Sequence, residues 1–310
     1  MKINEFVNKT QVAGPMLVVA CKSGVTNANA PYLSITFRDN TGTIEGKLWD
    51  VRDSQLEIVS PGRVIMVRGE VISYRNQLQL KVIEVEEVDN DGIDMSEYVL
   101  TGPYSQQQLR AMIEEAIHSL NNQDVFRIVS DVYRTYDRQI YSSAAAVRNH
   151  HEYYGGLATH VCGMLKLADM MVVNYPYLNR DLLVAGVLLH DIGKVVELSE
   201  GTVTEYTLEG KLIGHISIAQ TIIKQTADKL GIDSEAVLLL RHMVLAHHGE
   251  HEFGSPVLPA TIEAEALHYI DDIDAKMTMI EKELSAVGTK EFTQRNFALE
   301  NRSFYKHDIK

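Results

Sequence analysis

Leu182-Leu-Val-Ala-Gly-Val-Leu-Leu189 runs without a polar residue straight into His190-Asp-Ile-Gly-Lys194. The apolar run reads as a buried helix, and its end delivers an imidazole and a carboxylate side by side to an interior position. Burying that pair without a partner is costly. A cation is the simplest compensation, because neutral imidazole is the commonest nitrogen ligand and a carboxylate adds charge and can bridge two metals.

Working outward, ten of the twelve histidines lie between His150 and His268. Several fall where helices should begin or end. His160 follows Gly155-Gly156-Leu157. His215 closes Lys211-Leu-Ile-Gly-His215 and opens a helix from Ile216 to Leu230. His247-His248-Gly249 ends a helix that begins near Ser234. Asp271 and Asp274 are three residues apart and share a helix face. His118 reads as solvent-facing and His242 as a helix-surface residue. His150 or His151 is a candidate to line the site, and His268 is a candidate to support a ligand from behind.

The order H, HD, H, HH, D resembles the HD phosphohydrolase superfamily. That resemblance assigns His160, His190, Asp191 and Asp271 to a first metal. It assigns His215 and His247 to a second, with His248 competing for the place of His247. Asp271-Asp272-Ile273-Asp274 leaves the acidic register open. Asp271 is preferred because the family sets its ligand three residues before a second acidic or polar position.

Metals lower the pKa of bound water, and a pair of them can clamp a phosphodiester. Asp191 and Lys194 are the candidate catalytic residues, Lys194 as a cation for a phosphate oxygen. No GxSxG elbow and no Walker glycine loop occurs.

The front of the chain has a different period. In Tyr32 to Arg38, Leu33, Ile35 and Phe37 alternate with Tyr32, Ser34, Thr36 and Arg38. After Asp39-Asn40-Thr41-Gly42, Ile44 and Leu48 oppose Glu45, Lys47 and Trp49. Val64 to Tyr74 is β-branched with a bulge or bend expected at Gly69, and Arg75-Asn76 opens a hairpin into Leu78 to Val85. Five or so antiparallel strands predict a small barrel of the OB type. From Ser105 the period becomes helical. Leu109, Met112, Ile113, Ala116, Ile117 and Leu120 form one stripe, and Val125, Ile128, Val129 and Val132 form the next.

The fold expected is therefore multi-domain α and β. An OB-type barrel over residues 1–90 precedes a helical connector over 91–145, an all-α HD domain over 146–285 and a loosely held tail over 286–310.

The net charge of −13 argues at first against nucleic acid. Residues 1–83, however, hold ten Lys and Arg against seven Asp and Glu, which gives +3 and leaves −16 for the rest. Local field, not total charge, governs phosphate binding. The barrel's outer face collects Tyr32, Arg38, Lys47 and Trp49, with Arg68, Tyr74, Arg75 and Lys81 around the hairpin. Rings beside cations suit single-stranded nucleic acid. The other reading is that Trp49 and Tyr74 pack against the helical domain.

Two distant cysteines, Cys21 and Cys162, and an N-terminus without an apolar signal core lead to the expectation of a cytoplasmic protein. No stretch of about 18 uncharged apolar residues suggests a membrane helix. The helical stripes permit a homo-oligomer without requiring one.

The whole arrangement resembles the YhaM family of bacterial 3'-5' exoribonucleases. The matching stretches are Pro31 to Gly42, Lys47 to Asp50, His150 to Leu157, His190 to Lys194 and His268 to Lys276. The resemblance implies a divalent metal, Mn²⁺ by preference, as one or two ions. It implies single-stranded RNA shortened from the 3' end, with single-stranded DNA as a further substrate. The alternative is an HD phosphohydrolase of nucleotides or cyclic dinucleotides, its barrel a regulatory or assembly module.

Overall fold

The computed structural model describes residues 2–26, 30–74, 77–90, 93, 97–98, 102–143, 145, 153–199 and 204–309. The described chain forms two compact units, one within the first 101 residues and one over 102–199 and 204–309.

The first unit is a closed barrel of five strands in the order β1-β2-β3-β5-β4. They are β1 (Gln11–Val25), β2 (Pro31–Asp39), β3 (Gly42–Trp49), β4 (Val64–Tyr74) and β5 (Gln77–Glu87), with a short helix α1 (Asp53–Ile58) between β3 and β4. The alternation read from β2 and β3 is real. Leu33, Ile35, Phe37, Ile44 and Leu48 are all buried in the barrel core. Closure rests on β1. Its first half pairs with β4 and its second half with β2, and the register slips between Val18 and Ala20 where it changes partner. The expectation of wholly antiparallel strands needs one correction, since β3 and β5 pair in parallel to shut the barrel.

Gly69 sits at the expected irregularity, where the β4–β5 register shifts between Arg68 and Gly69. A Cβ at Gly69 would lie 2.5 Å from the main-chain oxygen of Lys81.

The second unit buries one large apolar core. Around it stand α2 (Gln106–His118), α3 (Gln123–Thr135), α4 (Asp137–Ser142), α5 (Gly156–Asn174), α6 (Arg180–Leu189), α7 (Lys194–Glu197), α8 (Leu208–Ile213), α9 (His215–Leu230), α10 (Glu235–Ala246) and α11 (Ile262–Ser285). The two stripes read from the sequence face inward: Leu109, Ile113, Ile117 and Leu120, then Val125, Ile128, Val129 and Val132. Helix α6 starts where the Asn179 side chain accepts from the Leu182 amide and is buried continuously from Leu183 to Leu189. Helix α5 is long and apolar enough to cross a membrane, yet its residues from Gly156 to Leu165 are mostly buried in this core.

The segment after α11 departs from the loose tail expected. Bridges join Phe292 to Tyr305 and Asn296 to Arg302, Leu299 is fully buried, and Asn296 donates to Glu283 of α11. Its polar composition hid this because main-chain bonds, not an apolar stripe, hold it.

A side chain at Gly69 must push against a β5 carbonyl. Gly69→Ala should therefore destabilise the barrel by about 1–3 kcal/mol, read as a lower unfolding midpoint. An unchanged midpoint would show that the bulge relaxes without strain.

Candidate metal centre

Helix α6 ends at His190, which is wholly buried, and Asp191 beside it is 2% exposed. The Nδ1 of His190 donates to the Val187 carbonyl at 2.9 Å, so Nε2 turns toward the interior as an acceptor. His160, one turn into α5, brings its Nε2 to 3.3 Å from that atom. The same His160 Nε2 lies 3.1 Å from Asp271 Oδ1 and 4.0 Å from Asp191 Oδ2, and His190 Nε2 lies 3.2 Å from Asp191 Oδ2. The four residues assigned by resemblance to one metal thus converge.

A second group forms on the other oxygen of Asp191. His215 Nε2 lies 3.5 Å and His247 Nε2 3.9 Å from Asp191 Oδ1. His248 stands beside them, its ring centroid 4.3 Å from that of His247 and 5.4 Å from that of His215. His215, His247 and His248 make one ligand-spaced cluster, and His160, His190 and Asp191 make the other. Both His247 and His248, the two candidates for one ligand place, stand in this cluster.

Glycines shape the turns that deliver these rings. Gly214 takes φ +77° where the chain reverses into α9, and Gly249 takes φ +77° just past the histidine pair. A Cβ on Gly249 would collide with the His268 ring, whose Nδ1 faces the His247 carbonyl at 3.2 Å. His242, by contrast, accepts the Ala260 amide and serves the fold. His118 is exposed, and His150 and His151 lie outside the described residues.

Charge is tightly balanced. Burial opposes ionisation of Asp191, but Lys194, His190 and His215 outweigh it and hold the carboxyl well below the usual range. Lys194, with its side chain 12% exposed, sits 2.6 Å from Asp191 Oδ2. Burial also opposes the charge on His160, yet Asp271 and Asp274 push it up to about 9. Burial, reinforced by His248 and His190, pushes the His247 imidazole well below its usual range.

At this centre three buried atoms lack a hydrogen-bond partner among the described residues: Asp191 Oδ1, His215 Nε2 and His247 Nε2. They face one another. Two ring nitrogens and a carboxylate oxygen left so, in a pocket without cysteine, fit an open-coordination divalent cation.

Glu197 was not legible in the sequence. It closes the four-residue α7 and accepts both the His215 amide, at 2.9 Å, and His215 Nδ1, at 3.1 Å. Its spacing of three from Lys194 was the only signal available.

On the barrel, Tyr32 and Trp49 are cross-strand neighbours with ring centroids 5.0 Å apart, and Lys47 Nζ lies 5.3 Å from the Tyr32 ring. Gly24 lies under that ring, since a Cβ there would approach it to 2.6 Å. Register also aligns Lys22, Ser34, Lys47 and Lys81 in one row across four strands. Lys22 was missed because its alignment depends on β1.

Other expected contacts separate from this patch. Arg38 is six residues along β2, about 20 Å away at ~3.3 Å per residue. Arg68 pairs with Glu84 and Glu86 across the β4–β5 ladder. Tyr74 is half-exposed at the end of β4, and Arg75 lies outside the described residues.

Fold and site together define an HD-domain protein that carries an OB-fold module. The HD domain family matches residues 157–276, and the OB-fold nucleic acid binding domain family matches residues 18–88. The chain is similar to the 3'-5' exoribonuclease YhaM of Geobacillus sp. (strain WCH70), at 44% identity over 96% of this chain and 92% of that one. It is 42% identical to the proteins of that name from Bacillus pumilus and Bacillus subtilis, over 96% of this chain and 95% of each of theirs. The chain belongs to the YhaM family.

A cation held here should stabilise the fold. At 100 times its Kd a ligand adds about 2.7 kcal/mol. Mn²⁺ added to EDTA-stripped protein should raise the unfolding midpoint, and Asp191→Asn should lose most of that rise. An equal rise in the variant would remove Asp191 from the site.

Proposed function

We propose that the protein is a metal-dependent 3'-5' exoribonuclease that hydrolyses single-stranded RNA at the HD-domain centre. The observation that carries the hydrolytic reading is the trio of buried, unpartnered ligand atoms on Asp191, His215 and His247. The substrate and the direction of attack are taken from relatives named 3'-5' exoribonuclease that align along nearly their whole length.

In this reading His160, His190, Asp191 and Asp271 hold one cation, and His215, His247 and His248 hold a second. Asp191, whose two oxygens face the two clusters, would be a ligand common to both. Bound divalent ions would supply an activated water and Lewis-acid stabilisation of the phosphodiester. Manganese is the proposed ion, and the donor set of imidazole and carboxylate is compatible with it.

The chain's own residues do the rest. Lys194 keeps the Asp191 carboxylate ionised and places an ammonium at the pocket where phosphate charge must be met. The buried wall of α6 keeps bulk water from the ligands, which strengthens every charge interaction inside.

The barrel, over about the first 90 residues, would feed the strand in. Tyr32 and Trp49 offer stacking surface, and the row of Lys22, Lys47 and Lys81 offers phosphate contacts. Stacking and a lysine track do not read the 2'-hydroxyl, so single-stranded DNA is included as a substrate. A cytoplasmic setting suits both the RNA substrate and two free cysteines.

The test uses 5'-labelled single-stranded RNA with Mn²⁺, Mg²⁺ or EDTA. A metal-dependent ladder receding from the 3' end is expected, and Asp191→Ala should abolish it. Internal cuts, or no cleavage with any metal, would contradict the reading. Trp49→Ala should weaken RNA binding by about 1–3 kcal/mol while cleavage of a small chromogenic phosphodiester is unchanged. Equal loss on both substrates would give Trp49 a packing role instead.

A further inference from the structure

Five imidazoles converge on the centre, and each has its Nδ1 already engaged. For three of them the partner is a main-chain carbonyl. His190 faces Val187 at 2.9 Å, His247 faces Val244 at 2.7 Å, and His248 faces Phe253 at 2.8 Å. For the other two it is a carboxylate. His160 Nδ1 meets Asp274 Oδ2 at 2.7 Å, and His215 Nδ1 meets Glu197 Oε1 at 3.1 Å.

The two carboxylates are shared out, one to each ligand cluster. His160 belongs with His190 and Asp191, and His215 belongs with His247 and His248. Both acids are shielded, with side chains 14% exposed at Asp274 and 9% at Glu197. Both approaches depend on a missing side chain. A Cβ on Gly163 of α5 would overlap Asp274 Oδ1, and a Cβ on Gly210 of α8 would come within 2.8 Å of Glu197 Cγ. Gly163 is thus cleared for the Asp274 carboxylate itself, and Gly210 for the close approach of the Glu197 main chain that carries its acid.

A carboxylate behind an imidazole fixes its tautomer and rotation and makes Nε2 a better donor to a metal. A neutral carbonyl does the first and less of the second. We propose that Glu197 and Asp274 are positioning residues that set the two cation affinities separately: Asp274 that of the site containing His160, and Glu197 that of the site containing His215. The proposal rests on the metal-dependent reading above.

A purely structural role would show differently. If Glu197 merely capped the start of α9 through the His215 amide, its loss would lower the stability of metal-free protein and leave cation affinity alone.

The experiment uses full-length, EDTA-stripped wild type, Glu197→Gln, Asp274→Asn and the double variant. Mn²⁺ uptake is followed by calorimetric titration and by elemental analysis of the dialysed protein. Metal-free unfolding midpoints are recorded in parallel. The amides keep the size and one acceptor oxygen, so metal-free midpoints should stay near wild type. Wild type should bind in two steps, one per cluster. Glu197→Gln should weaken one step about 10- to 100-fold and spare the other, Asp274→Asn should do the converse, and the double variant should weaken both. Glu197→Gln added to His215→Ala should bring no further loss.

Unchanged steps in the single variants, or both steps weakened alike by each, would overturn the proposal while leaving the metal reading intact. Wild type that takes up no manganese would instead sink the functional reading on which the proposal rests.

Discussion

A carboxylate just past one helix and two imidazoles at the ends of two others, with their buried ligand atoms unsatisfied among the described residues, set the terms for the rest of this protein. Asp191 stands between two histidine clusters and turns one oxygen toward each. Such a residue is expensive to bury alone. It tolerates the interior because Lys194 and the histidines favour its charge. Helix α6 must be apolar on every side to carry His190 and Asp191 so deep. The surrounding helices must then bring the other candidate ligands, His215 and His247 from the ends of α9 and α10 and His160 and Asp271 from within α5 and α11.

That requirement explains where the chain bends. The rings of His215 and of the His247-His248 pair sit next to glycines with positive φ, which let the backbone turn inside a packed interior. Gly163 and Gly249 make room for side chains that back the ring positions, and Gly210 for the main chain of Glu197. The barrel obeys a simpler rule. Its inward faces fill with Leu33, Ile35, Phe37 and their partners, and its outward face is left to Tyr32, Trp49 and a row of lysines. In the proposed function hydrolysis and strand capture would therefore fall on separate units, each with its own core.

Much of this could be read in the residues. The apolar run into His190-Asp191 was legible because a helix buried all round loses its polar face and ends abruptly. β2 and β3 were legible because one face is wet and one dry. β1 was not. It changes partner midway, so its burial loses the period of two, and Gly14-Pro15 looks like a loop. The pairing of Arg68 with Glu84 and Glu86 was hidden because it depends on register beyond a bulge. Glu197 was hidden because a four-residue helix has no period, and its partner His215 is 18 positions away.

The central proposal is that Asp191 would serve as a ligand to a cation in each of the two clusters. Anomalous diffraction from crystals grown with Mn²⁺ tests it directly. Two peaks about 3.5–4 Å apart, one against each oxygen of Asp191, are the result the account predicts. A single peak that leaves His215, His247 and His248 without metal, or peaks away from Asp191 altogether, would contradict it.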